Sequence, residues 1–240
     1  MTFRTIAFGH QSVDLLEEGD RICIGLAAGK AFEKESRAWW ADMLEQERWD
    51  ETSTVLDIGA YTGIYAIAAA KHGYYAIAIE PLPENMGRLD SNIFQNGVSK
   101  MVTKVAAAAS DTDGRGELAY NSGVPFTSGG SLTSKKEGYT RIPVDLVTID
   151  TLIGRMLVNK HIWITAMKLD VERGEAAALR GAVWTIKRCS PKIILEILDI
   201  DQLLEVEAVL LPLGYWRAHQ FDRRNFVYLP PIKLKAMEAF

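Results

Sequence analysis

The chain has 240 residues, with 27 Lys and Arg against 31 Asp and Glu, and a formal charge of −4. A composition that is 48% hydrophobic and 24% charged excludes disordered, collagenous and coiled-coil chains. An acidic excess without a basic block excludes general binding to nucleic acid or to an anionic membrane, because those partners need clustered cations.

In chain order, Met1–Ile24 reads as a small strand-rich lead-in, without the basic segment, apolar run and cleavage site of a secretory leader. Lys30–Glu45 reads as an amphipathic helix carrying Phe32, Trp39, Trp40 and Leu44, placed to roof the open end of a sheet. From Ser53, apolar runs of strand length alternate with helical patterns, the signature of a parallel sheet covered on both faces. The predicted order is strand Thr54–Ile58, helix Ile64–His72, strand Tyr75–Ile79, helix Pro83–Asn96 and strand Met101–Ala107. A Gly- and Ser-rich stretch at Asn121–Gly138, between strand-like Gly116–Tyr120 and Tyr139–Val144, predicts a flap beside a site.

Strand Trp163–Leu169, helix Gly174–Arg188, strand Lys192–Ile197 and helix Asp201–Leu211 follow, and then strands Tyr215–His219 and Asn225–Leu229, joined by the polar turn Gln220–Arg224 as an antiparallel hairpin. Gly73, Gly97 and Gly214 stand where helices need a left-handed C-terminal residue. The expectation is therefore an α/β, Rossmann-like fold. It has a seven-stranded, mostly parallel sheet with a reversed edge in a terminal hairpin, and helices on both faces. The lead-in over 1–50 packs on a core over 51–240, with an insertion near 115–145. The apolar stretch Val55–Ile79 contains Asp57, Gly59, Gly63, Lys71, His72 and Gly73, too polar for a membrane span. Cys23 and Cys189 have no partner at metal-ligand spacing, so a reduced, cytoplasmic protein without a zinc site is expected. Trp163 and Trp184 are expected in the core.

The strongest local signal is Val55-Leu56-Asp57-Ile58-Gly59-Ala60-Tyr61-Thr62-Gly63, a buried strand ending in an acid and two glycines before a helix. In an open α/β sheet, ligands bind where strand carboxyl ends meet helix N-termini, and Gly59 and Gly63 let the backbone approach closely. Asp57 there suits the ammonium end of S-adenosylmethionine. Glu80, at the tip of the next strand, suits both hydroxyls of a ribose. The rival, a nicotinamide or flavin dinucleotide fold, needs Gly-x-Gly-x-x-Gly, and a carboxylate at Asp57 would repel a pyrophosphate. Lys168, Asp170 and Glu172 alternate along an extended segment and so share one face at the mouth of the sheet. Asp170 or Glu172 would take a proton from an acceptor or orient it, and Lys168 would tune their charge. A Mg²⁺ site at Asp170, Glu172 and Glu196 is the less favoured version, and no metal is expected.

Taken together, these segments resemble the FkbM-type S-adenosylmethionine-dependent methyltransferases. Val55–Gly63 is similar to the family's "DvGANxG" turn, Glu80-Pro81 with Asn92 and Asn96 to "EPxp…L…N…N", and Ala109-Ser110-Asp111 with Gly114 to "alsdxxG". Gly130-Ser131-Leu132 resembles "GxsSl", Val147–Leu152 "vttLDdl", Lys168–Glu175 "KiDvEGaE", Leu179–Ala182 "vLxGa", and Pro191 with Glu196 "PxixxE". The resemblance implies a class I methyltransferase fold and S-adenosylmethionine as cofactor. It also implies methylation of a hydroxyl on a sugar, glycan or secondary metabolite. It places Asp57, Gly59 and Gly63 at the methionine portion, Glu80 at the ribose, and Ser110 and Asp111 at the adenine edge, with Ala60 and Tyr61 also cofactor-binding. Tyr61 stands where the family has Asn, and Arg173-Gly174 where it has Gly-Ala. A methyltransferase-like binding protein without turnover is the non-enzyme alternative.

Overall fold

The computed structural model describes residues 1–17, 20–28, 33–46, 50–123, 129–158 and 161–231. β1 (Phe3–Phe8) and β2 (Gln11–Leu16) form an antiparallel hairpin, followed by α1 (Arg21–Ala27) and α2 (Lys34–Gln46). Phe32 and Lys30 lie outside the described residues. The core then runs β3 (Ser53–Ile58), α3 (Ile64–Lys71), β4 (Tyr75–Ile79), α4 (Pro83–Gln95), β5 (Val102–Val105), β6 (Ala108–Ala109), β7 (Gly114–Tyr120) and β8 (Thr140–Val147). It continues with α5 (Ile149–Leu157), β9 (Trp163–Leu169), α6 (Glu175–Arg180), α7 (Val183–Cys189), β10 (Lys192–Glu196), α8 (Ile200–Leu210), β11 (Trp216–Phe221) and β12 (Asn225–Leu229).

Seven strands form the main sheet in the order β11-β12-β10-β9-β3-β4-β5. The reversed strand is β12, antiparallel to both neighbours, so it lies one place in from the edge and not at the edge. Alternation along the strands divides the core into two layers. Val55, Ala76, Ala78, Ala166 and Ile194 face the lead-in hairpin, α2, α3 and α4. Leu56, Ile58, Ile77, Ile79, Met167, Leu169, Ile193 and Leu195 face α5 to α8. Both layers bury apolar side chains, which is why these strands read as near-continuous apolar runs.

Beside the sheet, β6, β8 and β7 form a separate three-stranded sheet that carries the flanks of the flap. The expected strand Met101–Ala107 is β5, shortened to Val102–Val105, and the chain just beyond it forms β6 in the smaller sheet. α5 was not expected from the sequence; Thr148 caps it by accepting from the Thr151 N–H. The expected helix Gly174–Arg188 is two helices broken at Gly181–Ala182. A Cβ at Gly181 would lie 2.0 Å from the Ser110 carbonyl oxygen, so the helix gives way where the two chains touch. Trp163 and Trp184 are 42% and 46% exposed, contrary to expectation, and both flank the Arg188 guanidinium.

The lead-in is tied to α4 through polar side chains. Asn92 Oδ1 accepts from Leu16 N at 2.7 Å while its Nδ2 donates to Thr62 O at 2.9 Å. Asn96 makes a matching pair with Asp14 N and O, and Arg88 Nη1 donates to Leu16 O at 2.7 Å. Trp40 is buried edge-on to Tyr65, with centroids 5.5 Å apart, and Trp39 packs partly beside the same core. Asn92→Ala strands a buried N–H and a buried carbonyl, each worth about 1–3 kcal/mol when unpaired. Thermal denaturation should show the variant melting roughly 5–10 °C lower.

Candidate functional site

The turn after β3 is built by contacts that few side chains permit. Gly59 has φ 78°, and a Cβ on it would lie 1.8 Å from the Asp170 carbonyl oxygen, so glycine is what brings the ends of β3 and β9 together. The Gly59 and Ala60 N–H groups donate to Ile79 O at 2.9 and 3.0 Å. Gly63, φ 81°, starts α3 with Leu89 packed where a Cβ would be. Asp57 is 2% exposed and its Oδ2 accepts from Ala66 N in the first turn of α3 at 2.9 Å. Burial pushes its carboxyl up to about 7 against that hydrogen bond and the nearby Lys168 ammonium. Tyr61 takes a left-handed φ of 49°. Burial raises its phenol well above the usual range, and the Asp20 carboxylate, to which the hydroxyl is hydrogen-bonded, raises it further.

A cleft of about 520 Å³ opens beside this turn. At its floor is Glu80, 4% exposed. Oε2 accepts from Tyr61 N at 2.9 Å, and Oε1 accepts from Leu82 N at 2.9 Å and Asn85 Nδ2 at 3.1 Å. Burial raises its pKa despite these donors. One wall is apolar, made by Leu82, Ala107, Ala108, Ala109, Leu118 and, from the flap side, Leu132. Gly59, Tyr61, Asp170 and Val171 make the other. Ser110 and Asp111 follow directly on Ala109 but do not line the cleft: the Ser110 N–H donates to Val147 O, and Asp111 pairs with Arg180 at 3.1 Å.

A second cleft, about 540 Å³, lies across the turn and shares Gly59, Tyr61 and Asp170 with the first. Leu15, Ile22, Leu26 and Ile64 give it an apolar side; Glu33, Asp57, Lys168 and Asp170 give it a charged one. Lys168 is 1% exposed. Its Nζ lies 3.3 Å from Glu33 Oε1, 3.6 Å from Asp170 Oδ2 and 3.3 Å from Asn225 Oδ1, above the Tyr65 ring. Burial alone would lower its pKa, but Glu33, Asp170 and Glu196 together raise it.

The strand ends at Leu169, so the expected extended face through Glu172 does not form: Glu172 and Arg173 turn left-handed, with φ 50° and 78°. Arg173 thus takes a left-handed conformation at the position where the sequence resemblance expects glycine. Here Arg173 pairs with Asp199 at 2.6 Å, and the Glu172 carbonyl accepts from Ser131 Oγ of the flap at 2.7 Å. The turn still brings carboxylate oxygens of Asp170, Glu172 and Glu196 within 4.8 Å of one another. Burial, then Asp170, pushes both Glu172 and Glu196 up to about 7. Sequence reasoning missed Glu33, Tyr65 and Asn225 around Lys168, and Glu175, whose Oε1 accepts from Val171 N at 3.0 Å and holds the turn.

Residues 57–219 match the Methyltransferase FkbM domain family. Similar solved structures include the FkbM methyltransferase of Methylobacillus flagellatus KT, at 20% identity and a TM-score of 0.54, over 77% of this chain and 45% of that one. They also include precorrin-6y C5,15-methyltransferase of Geobacter metallireducens GS-15, at 13% identity and a TM-score of 0.46, over 80% of this chain and 86% of that one. A third is the N-terminal domain of human METTL16 in complex with SAH, at 14% identity and a TM-score of 0.47, over 82% and 69%. The chain thus spans a little under half the length of the Methylobacillus protein, and at 20% identity the likeness to it is one of fold. A comparison with curated proteins returns no match.

The raised acids predict a pH dependence. A carboxyl with a folded pKa near 7 favours folding while it is protonated and loses that contribution as pH rises from its ordinary value through 7. Glu196→Gln removes the group. Urea denaturation should show the variant matching wild type near pH 4 and exceeding it by roughly 1–2 kcal/mol at pH 8, a figure reduced for the partly open rim.

Proposed function

We propose that this chain, which belongs to the FkbM methyltransferase family, uses S-adenosylmethionine to methylate a hydroxyl of a small-molecule or glycan acceptor. The observation that carries this reading is the buried Glu80 carboxylate, fixed by Tyr61 N–H and facing an apolar slot. A ribose diol and a flat base need that combination, and the residues present fit the cofactor. Glu80 Oε2, with one N–H donor, keeps a lone pair for a ribose hydroxyl, while Oε1 already takes two donors; Ala107–Ala109 pack the base, and Ser110 and Asp111 follow just outside the slot. Gly59, Ala60, Tyr61 and Gly63 carry the ligand across to the methionine end, where Asp57 favours an ammonium. An Asp57 carboxylate at that place disfavours a dinucleotide pyrophosphate.

The bound cofactor supplies a methyl group on an electrophilic sulfonium. The acceptor hydroxyl must lose its proton during attack, and a base titrating near the working pH does this best. Asp170 lies on the rim of both clefts and Glu172 beside it; we assign them to orient the hydroxyl and take its proton. Lys168 holds Asp170 in place and offsets its charge. This chemistry needs no metal. Among the described residues no helix is long and apolar enough to cross a membrane. Cys23 and Cys189 are buried and form no disulfide with each other, which supports a reducing, cytoplasmic setting. We assign the lead-in over 1–50 to the acceptor side and 51–240, with the flap near 115–145, to methyl transfer.

Isothermal calorimetry should show S-adenosylhomocysteine binding and NAD not binding; NAD binding alone would sink the proposal. Glu80→Ala and Asp57→Ala should each weaken S-adenosylhomocysteine roughly 10- to 100-fold. Asp170→Asn and Glu172→Gln should still bind S-adenosylhomocysteine and lose transfer of a labelled methyl group into a fractionated metabolite extract. Full transfer in both variants removes the catalytic assignment, and binding without transfer by the wild type favours the non-catalytic alternative.

A further inference from the structure

Glu33 reaches the site from the lead-in, outside the residues that match the family. It lines the second cleft together with the Gly59–Tyr61 turn, and two donors set its plane. Lys168 Nζ is 3.3 Å from Oε1, and Tyr65 Oη donates to Oε2 at 2.9 Å. An ionised carboxylate has about four acceptor positions, so two contacts orient it and leave capacity facing the cleft.

The charges lining this cleft do not balance. Glu33, Asp57 and Asp170 stand against one ammonium, Lys168, so the fully ionised lining carries an excess of two negative charges. Asp57 spends Oδ2 on the Ala66 N–H, and Asp170 faces the neighbouring acids Glu172 and Glu196. Leu15, Ile22, Leu26 and Ile64 keep the opposite side apolar, which strengthens a charge pair formed there. The two clefts meet at Gly59, Tyr61 and Asp170, so a ligand anchored by Glu80 in the first extends across the turn into the second.

Building on the S-adenosylmethionine reading above, we infer that Glu33 is a cofactor-binding residue whose carboxylate takes the α-ammonium of the amino-acid end. The lead-in then supplies a specific contact to the cofactor as well as a wall to the acceptor space. Ammonium binding favours the ionised form of Asp57, which burial otherwise holds up to about 7, so binding releases protons.

The test compares S-adenosylhomocysteine, which carries the amino-acid end, with 5′-methylthioadenosine, which lacks it. In calorimetry on the full chain, Glu33→Gln should weaken S-adenosylhomocysteine about 10- to 100-fold and leave 5′-methylthioadenosine within twofold of wild type. Wild-type binding of S-adenosylhomocysteine at pH 7 should show buffer-dependent heats from proton release, and binding of 5′-methylthioadenosine should not. If Glu33→Gln does not fold, Glu33→Asp, which keeps the charge but withdraws it by one methylene, carries the same comparison. Unchanged S-adenosylhomocysteine affinity, or an equal loss for both ligands, overturns the assignment of Glu33 while leaving the methyltransferase reading in place. Failure of the wild type to bind either ligand overturns both.

Discussion

One buried ammonium organises this protein. Lys168 sits in the middle of the sheet, where an unpaired charge would cost several kcal/mol, and its partners come from distant parts of the chain. Glu33 arrives from the lead-in, Tyr65 from α3, Asp170 from the turn after β9 and Asn225 from the start of β12. Satisfying that charge therefore fixes where the N-terminal segment lies and where the reversed strand enters the sheet. It also fixes how the β9–α6 turn presents its acids. Breaking such a set by removing one partner is far more damaging than never having built it.

The same low-dielectric setting acts oppositely on the acids. Asp57, Glu80, Asp170, Glu172, Glu175 and Glu196 all have raised pKa values, burial being the largest cause for each. Their mutual repulsion adds to the effect, and hydrogen-bond donors, Lys168 and peripheral arginines oppose it. A carboxylate-rich rim of this kind is poised to give up protons when a cation arrives. In the proposed reaction it would also accept one from the acceptor hydroxyl.

Much of this was legible in the sequence where the physics is local. β3, β9 and β10 read as strands because both of their faces are covered, and the Asp57–Gly63 segment stood out because glycine was needed at the crossing of two chains. What stayed hidden depends on remote contacts. Nothing near Glu33 announces a partner 135 positions away, and the break at Gly181 follows from the Ser110 carbonyl. The place of the reversed strand had a signal that went unread: Asn225–Tyr228 are all buried, whereas β11 is largely exposed, so the more apolar arm of the hairpin takes the inner position. The terminal acid of the Lys168, Asp170, Glu172 alternation was misplaced because the strand ends at Leu169 and the chain turns left-handed at Glu172.

Tyr61 shows how two regions became one. A non-glycine residue at φ 49° accepts a backbone cost that a smaller residue in the turn would reduce. In return its phenol reaches Asp20, which caps α1 and pairs with Arg88. The glycine turn beside the clefts and the segment ahead of the sheet are therefore joined through one side chain. A cofactor seated there, as proposed, would restrain the amides of α1 as well as those of the turn, and by linkage a loosened lead-in would weaken its binding.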